Sequence, residues 1–152
     1  MRNSVLRLVF GVLVLVLGGA AEDLLPQVCG VGAPVLLVAA LFMAQRGTLV
    51  EWLVFAVAAG AMEDALCDLP TAASVSYFLA SAAVVRFVGL PRLVAALAYP
   101  GYLVWLWIWT GSIDGAIFTR LLLSVPVGFA TALAVGVLCA AAERRAAINE
   151  AG

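Results

Sequence analysis

Carboxylate side chains concentrate in the stretch from Ala56 to Ser76, and they are the groups in this chain best suited to chemistry. Ala56, Gly60, Asp64 and Asp68 recur every four residues, which places them on one stripe of a helix. Small residues on such a stripe let a second helix approach closely. Three interpretations of the acids stay open: hydrated loop residues, an Asp64 that hydrogen-bonds across helices or to a partner, or a site for a cation or a substrate.

Other catalytic groups are scarce. The chain has no His and no Lys, which excludes imidazole acid–base catalysis, Schiff-base chemistry and His-ligated zinc. No GxSxG motif surrounds any serine, and the cysteines have no CxxC spacing. We therefore predict no enzymatic activity, no catalytic residue, no metal and no cofactor. A disulfide between Cys29 and Cys67 remains an open alternative.

The composition identifies the solvent of the chain. Of its 152 residues, 66% are apolar and 11% are charged, with a mean hydropathy of +1.17. Average soluble domains are about 45–50% apolar and about 25% charged, and a chain of this length has too little interior to hide the excess. This excludes a soluble enzyme, a nucleic-acid binder and a disordered tail. It predicts an integral membrane protein in a lipid bilayer.

Charged clusters divide the chain into apolar runs long enough to cross the hydrocarbon core, which takes about 20 helical residues. The predicted fold is all-α: a polytopic membrane helix bundle with six transmembrane helices in one domain, residues 1–152. The spans are predicted near 4–21, 27–45, 48–67, 71–89, 92–111 and 118–142.

The arginines alternate between the boundaries of these spans. Seven of the eight basic residues lie at the N-terminus, between spans 2 and 3, between spans 4 and 5, and at the C-terminus. Basic loops are retained in the cytoplasm, so both termini are predicted to be cytoplasmic. The exception, Arg120, lies on the outer side and is the nearest basic candidate to balance Asp64 and Asp68.

Prolines and tryptophans refine the boundaries. Pro70 and Pro91 lie where helices 4 and 5 should begin, with Asp68 as the candidate N-cap of helix 4. The prolines predicted inside spans 2, 5 and 6 are Pro34, Pro100 and Pro126. A tryptophan group at the outer end of span 5 favours an aromatic belt, with a lipid- or partner-binding patch as the alternative; it comprises Trp105, Trp107 and Trp109.

The stretch from Gly60 to Ala72 resembles the central signature of the rod shape-determining protein MreD family. A Gly-x-x-x-Asp pattern, here Gly60 and Asp64, ends the third span. A turn at Pro70 follows, and Ser76 opens the next span. Length and number of spans also agree with that family. The resemblance covers essentially the whole chain.

This resemblance implies a fold similar to the substrate-binding component of energy-coupling-factor transporters. It further implies a non-enzymatic, scaffolding subunit of the cell-wall elongation machinery in the bacterial inner membrane. The implied partners are an MreC-like single-span membrane protein and the elongation glycosyltransferase and transpeptidase. Candidate helix-packing or partner-binding residues are Ala56, Gly60, Asp64, Asp68 and Pro70.

The alternative is a substrate-binding membrane component of a vitamin transporter. Such a protein needs an outward-facing pocket with several placed polar groups. Besides the tryptophan group, the candidates for that role are Glu63, Asp64, Asp68, Tyr99 and Tyr102.

Overall fold

The described part of the chain is entirely helical. A computed structural model describes residues 2–25, 27, 31–69, 72–111 and 115–151, with side chains placed between residues 11 and 141 of these ranges. Within them lie six α-helices and no strand. The all-α prediction is therefore confirmed. The helices are α1 (Arg2–Leu24), α2 (Val35–Arg46), α3 (Leu49–Leu66), α4 (Ala73–Val88), α5 (Pro91–Thr110) and α6 (Ile117–Ala151).

The second helix is shorter than predicted. It begins at Val35 rather than near residue 27 and has 12 residues, which span about 18 Å. Pro34 is its N-cap and not an interior residue. The prediction was wrong because proline disfavours helical backbone in the residue before it, here Ala33. An apolar run can thus be buried without being helical throughout.

α2 is the central helix of the bundle. It contacts each of the other five helices, and its side chains from Leu36 to Leu41 are buried on every face. Phe78 and Val85 of α4 complete the core beside it. A short helix that is apolar all round can be buried in this way because its neighbours cover its whole circumference.

Large apolar side chains of the outer helices point away from this core. Phe87, Ile108, Phe118, Leu122 and Leu138 are among the most exposed. Two segments, Pro91–Thr110 and Ile117–Ala141, are long and apolar enough to cross a membrane. Only 33% and 22% of these segments are buried in the bundle, so most of their apolar surface faces outward.

Helix starts follow local sequence signals at two places. Thr48 and Glu51 form a reciprocal capping box at the start of α3, with Thr48 N–H donating to Glu51 Oε2 at 2.8 Å. Pro91 begins α5 as predicted, whereas Pro70 lies outside the described residues. Pro100 and Pro126 lie inside α5 and α6 as predicted.

One end of the bundle is fastened by arginine. The Arg86 guanidinium donates to the carbonyl oxygens of Ala44 at 3.1 Å and Gly47 at 3.0 Å. These carbonyls belong to the C-terminal turn of α2 and the residue that follows it, where helix carbonyls lack intrahelical partners. We call this end, which also carries Arg46 and Arg92, the basic end.

Candidate functional site

The other end of the bundle, the acidic end, contains the predicted stripe of α3. Ala56, Gly60 and Asp64 are all buried. A Cβ atom added to Gly60 would lie 2.5 Å from Val75 Cα and 2.7 Å from Val75 N. The backbones of α3 and α4 are therefore in direct contact at Gly60, and no larger residue fits there without displacing a helix.

Asp64 fastens the start of α4. Its Oδ1 accepts the backbone N–H of Ser74 at 2.7 Å, and the residue is only 6% exposed. The N-cap of α4 is Ala72, which has no side chain able to cap and a left-handed φ of 76°. Asp64 thus supplies from α3 the acceptor that an N-cap side chain normally provides.

Asp68, the other acid of the stripe, differs from Asp64. Asp68 is exposed, with a left-handed φ of 52°, and the expectation that it caps α4 is wrong because α4 begins later, at Ala73. Arg120 lies on α6, which does not pack against α3 in the described part of the chain, and its pairing with Asp64 stays a prediction.

Glu22 repeats the capping arrangement at the start of α2. It lies at the end of α1, and its Oε1 accepts the backbone N–H of Leu36 at 2.7 Å. The N-cap of α2, Pro34, makes no side-chain cap bond. In both pairs of consecutive helices, an acid ending the first helix caps the second. Sequence reasoning missed this role of Glu22 because the delayed start of α2 was not expected.

A cavity of about 260 Å³ opens beside these two caps. Its polar lining includes Glu22, Glu63, Tyr99 and Tyr102, and Phe78 and Leu103 are among its apolar walls. Of the polar residues expected in an outward pocket, the structure brings together Glu63, Tyr99 and Tyr102. Asp64 and Asp68 do not line it.

The two tyrosines are oriented by hydrogen bonds across the bundle. Tyr99 donates its hydroxyl to the Gly32 carbonyl at 2.6 Å, which fastens α5 to the non-helical residues just before α2. The Tyr102 hydroxyl pairs with Ser74 Oγ at 2.6 Å and lies 3.4 Å from Glu63 Oε1. Both phenol oxygens therefore have fixed positions at the cavity wall.

Glu22 and Glu63 form an acid pair in this cavity. They face each other within hydrogen-bonding reach, and burial together with the proximity of Glu63 raises the pKa of Glu22 well above its usual range. Glu22 Oε2 is buried with no hydrogen-bond donor among the described residues. Protonation of Glu22, which its raised pKa favours at neutral pH, would remove the repulsion between the two carboxyls.

Cys67 and Trp105 also lie at the acidic end of the bundle. The Cys67 thiol is free and donates to Glu63 Oε1 at 3.7 Å, whereas Cys29 lies outside the described residues. Trp105 is turned inward, and its Nε1–H donates to the Ala73 carbonyl at 2.8 Å. Trp109 is 47% exposed, and the aromatic belt stays a prediction.

The acidic end can offer carboxyl and phenol oxygens to a small polar molecule. The cavity volume of about 260 Å³ is slightly below the roughly 300–1,000 Å³ of typical ligand pockets. Among the side chains that the structure places, no three His, Cys, Asp or Glu converge as a metal site. No known protein family, no curated protein and no solved structure matches the chain.

Proposed function

We propose that the chain is a six-span, non-enzymatic subunit of the bacterial cell-wall elongation machinery, located in the inner membrane with both termini in the cytoplasm. It would scaffold an MreC-like single-span partner near the elongation glycosyltransferase and transpeptidase. The proposal combines the resemblance of Gly60–Ala72 with the apolar outer surface of the bundle.

The observation that most supports a structural role is the hydrogen bond of Asp64. Its Oδ1 accepts the backbone N–H of Ser74, and Asp64 is also the acid of the Gly-x-x-x-Asp pattern on which the resemblance rests. Gly60 is likewise occupied by the backbone of α4. Through these contacts Asp64 and Gly60 hold α3 and α4 together, which supports a structural role for the stripe.

The separation of charge supports the proposed topology. Glu22 and Asp64 lie at one end of the bundle, and Arg86 lies at the other beside the C-terminus of α2. This is the arrangement that a positive cytoplasmic side requires. The short α2 fits a membrane setting because non-helical backbone is tolerated there when it is buried in protein, and Val31 is 2% exposed.

The test is capture of the partner. The full chain should co-purify in mild detergent with an MreC-like protein from the same bacterium, and an unrelated single-span protein of equal length should not be retained. Reporter fusions after residues 46, 90 and 150 should indicate cytoplasm, and fusions near 24, 69 and 114 the outside. Equal retention of both single-span proteins would refute the scaffold, and a reversed fusion would refute the topology.

The cavity favours a second candidate, the substrate-binding component of a vitamin transporter. The placed oxygens of Glu22, Glu63, Tyr99 and Tyr102 resemble the few convergent polar groups of a small-molecule site. A panel of vitamins added to the purified chain tests this through the intrinsic fluorescence of its four tryptophans. Saturable quenching that Tyr102→Phe weakens would support it.

A further inference from the structure

A second concavity lies at the basic end, where α2 ends and α5 begins. This groove of about 420 Å³ is open to the surface. Its polar lining is Gln45, Arg46 and Arg92, and its apolar lining is Phe42, Leu90, Pro91, Leu93 and Phe129. Among the described residues that line it there are two guanidinium groups and no carboxylate.

The guanidinium groups of Arg46 and Arg92 both lie near the Phe42 ring. The Arg46 guanidinium carbon lies 5.8 Å from the centroid of the Phe42 ring. A Cβ atom on Gly136 of α6 would lie 3.2 Å from Phe42 Cζ and 3.5 Å from Arg92 Nη2. The same phenyl ring is thus flanked by one arginine from α2 and one from α5, so two positive charges face a shared space.

The backbone adds to this positive field. α5 starts at Pro91, and its N-cap, Leu90, makes no side-chain cap bond. At α2 and α4, by contrast, a carboxylate of a preceding helix accepts an N–H of the first turn. The positive end of the α5 dipole therefore points toward the side of the groove that carries Arg92.

We infer that this groove binds the headgroup phosphate of an anionic phospholipid, with Arg46 and Arg92 on the phosphate and an acyl chain along Phe129 and Leu93. Guanidinium groups match phosphate oxygens in charge and in geometry. Basic pockets between membrane helices on the cytoplasmic side bind such headgroups. Phe129 and Leu93 are 45% and 53% exposed, so an acyl chain can reach them. The inference rests on the membrane location within the proposed function.

The experiment measures thermal unfolding of the purified full chain in neutral detergent while phosphatidylglycerol is added. Phosphatidylglycerol should stabilise the chain, and phosphatidylcholine should not. The double variant Arg46→Gln/Arg92→Gln should raise the half-saturating lipid concentration about thirty-fold, about fivefold for each arginine. Arg120→Gln removes the same charge at the opposite end and should leave that concentration unchanged.

One further variant and one ligand control test the inference independently of the arginine variants. Leu93→Asp places a carboxylate at an exposed position of the groove and should weaken the phosphatidylglycerol response without loss of an arginine. Inorganic phosphate alone should not reproduce the stabilisation, because it lacks the acyl chain. Equal effects of the two lipids, an unchanged response in the double variant, or full stabilisation by inorganic phosphate would each overturn the inference.

This design separates the lipid site from the scaffold. A chain that responds to phosphatidylglycerol but retains no MreC-like partner would refute the scaffold and leave the groove intact. A chain that retains the partner without any lipid selectivity would refute the groove alone.

Discussion

Charged side chains cap helix termini at both the acidic and the basic end of the bundle, with opposite signs of charge. The surfaces of the two ends nevertheless differ. At the acidic end, Glu22 and Asp64 accept N–H groups at the starts of α2 and α4. At the basic end, Arg86 donates to carbonyls where α2 ends. α2 is therefore held at both termini by side chains whose charge complements its dipole.

The two ends differ in what remains after this capping. Glu22 and Glu63 line a cavity between the helices, whereas Arg46 and Arg92 line an open groove at the surface. The carboxylates thus serve mainly to hold the helices together. The arginines of the groove are placed to meet something outside the bundle. The predictions below test this division, from the largest expected effect to the smallest.

Gly60→Leu should have the largest effect. Overpacking costs about 1–3 kcal/mol, and the upper part of that range is expected because the atoms in the way are backbone atoms of Val75. The level of folded protein in the membrane and its capture of the partner should both fall. Gly115→Leu is the matched control, since a Cβ there has open space. A silent Gly60→Leu would mean that α3 and α4 do not touch at this point.

Asp64→Ala should follow, with a loss of about 0.5–2 kcal/mol for the missing cap of α4. The measurement is the midpoint of thermal unfolding in detergent. Asp23→Ala removes a carboxylate from an exposed position at the same end and should cost little. Equal losses in the two variants would show that Asp64 stabilises the bundle only through charge.

The sequence predicts this end of the fold unevenly, for physical reasons. A four-residue spacing identifies the Ala56–Gly60–Asp64 stripe because helical periodicity is local. The acceptor role of Glu22 depends on a helix that starts 13 residues later, and apolar composition alone does not show that α2 begins only at Val35. The pairing of Glu22 with Glu63 depends on how α1 packs against α3, and no local signal encodes that packing.

The start of α3 carries a local signal in the sequence. Thr48 and Glu51 have the spacing of a capping box, and the structure shows both of its bonds. Charge alternation, by comparison, concerns the whole chain, and it correctly separated Glu22 and Asp64 from Arg86. What it could not give is which charges face inward, because burial depends on side-chain geometry and not on order along the chain.

The acid pair predicts how stability depends on pH. The pKa of Glu22 is raised in the folded state, so the folded chain binds more protons than the unfolded chain above the usual glutamate range. Its contribution is complete in acid, below the unfolded pKa of about 4.5, and is lost as pH rises toward the folded pKa. The slope is at most about 1.4 kcal/mol per pH unit.

Glu22→Gln tests this directly. Glutamine keeps an acceptor for Leu36 N–H and offers its own N–H to Glu63, so it reproduces the protonated pair. The fall in the unfolding midpoint between pH 5 and pH 8 should flatten, whereas Asp23→Asn should keep it. A wild-type chain that becomes more stable over that range would contradict the raised pKa of Glu22 in the folded state.

Arg86→Gln should give the smallest loss, and it decides whether the two ends are equivalent. Arg86 is on the exposed side of α4, where a charge at a helix terminus is worth about 0.3–1 kcal/mol and water can replace its two hydrogen bonds to Ala44 and Gly47. Asp64 is buried, so water cannot replace it as readily.

Arg92→Gln removes an arginine of the groove as the matched control, and it should not change the midpoint in the absence of anionic lipid. If Arg86→Gln costs more than Asp64→Ala, the basic end is the one that holds the bundle together. If Arg92→Gln alone destabilises the lipid-free chain, its guanidinium serves the fold and is not reserved for a ligand.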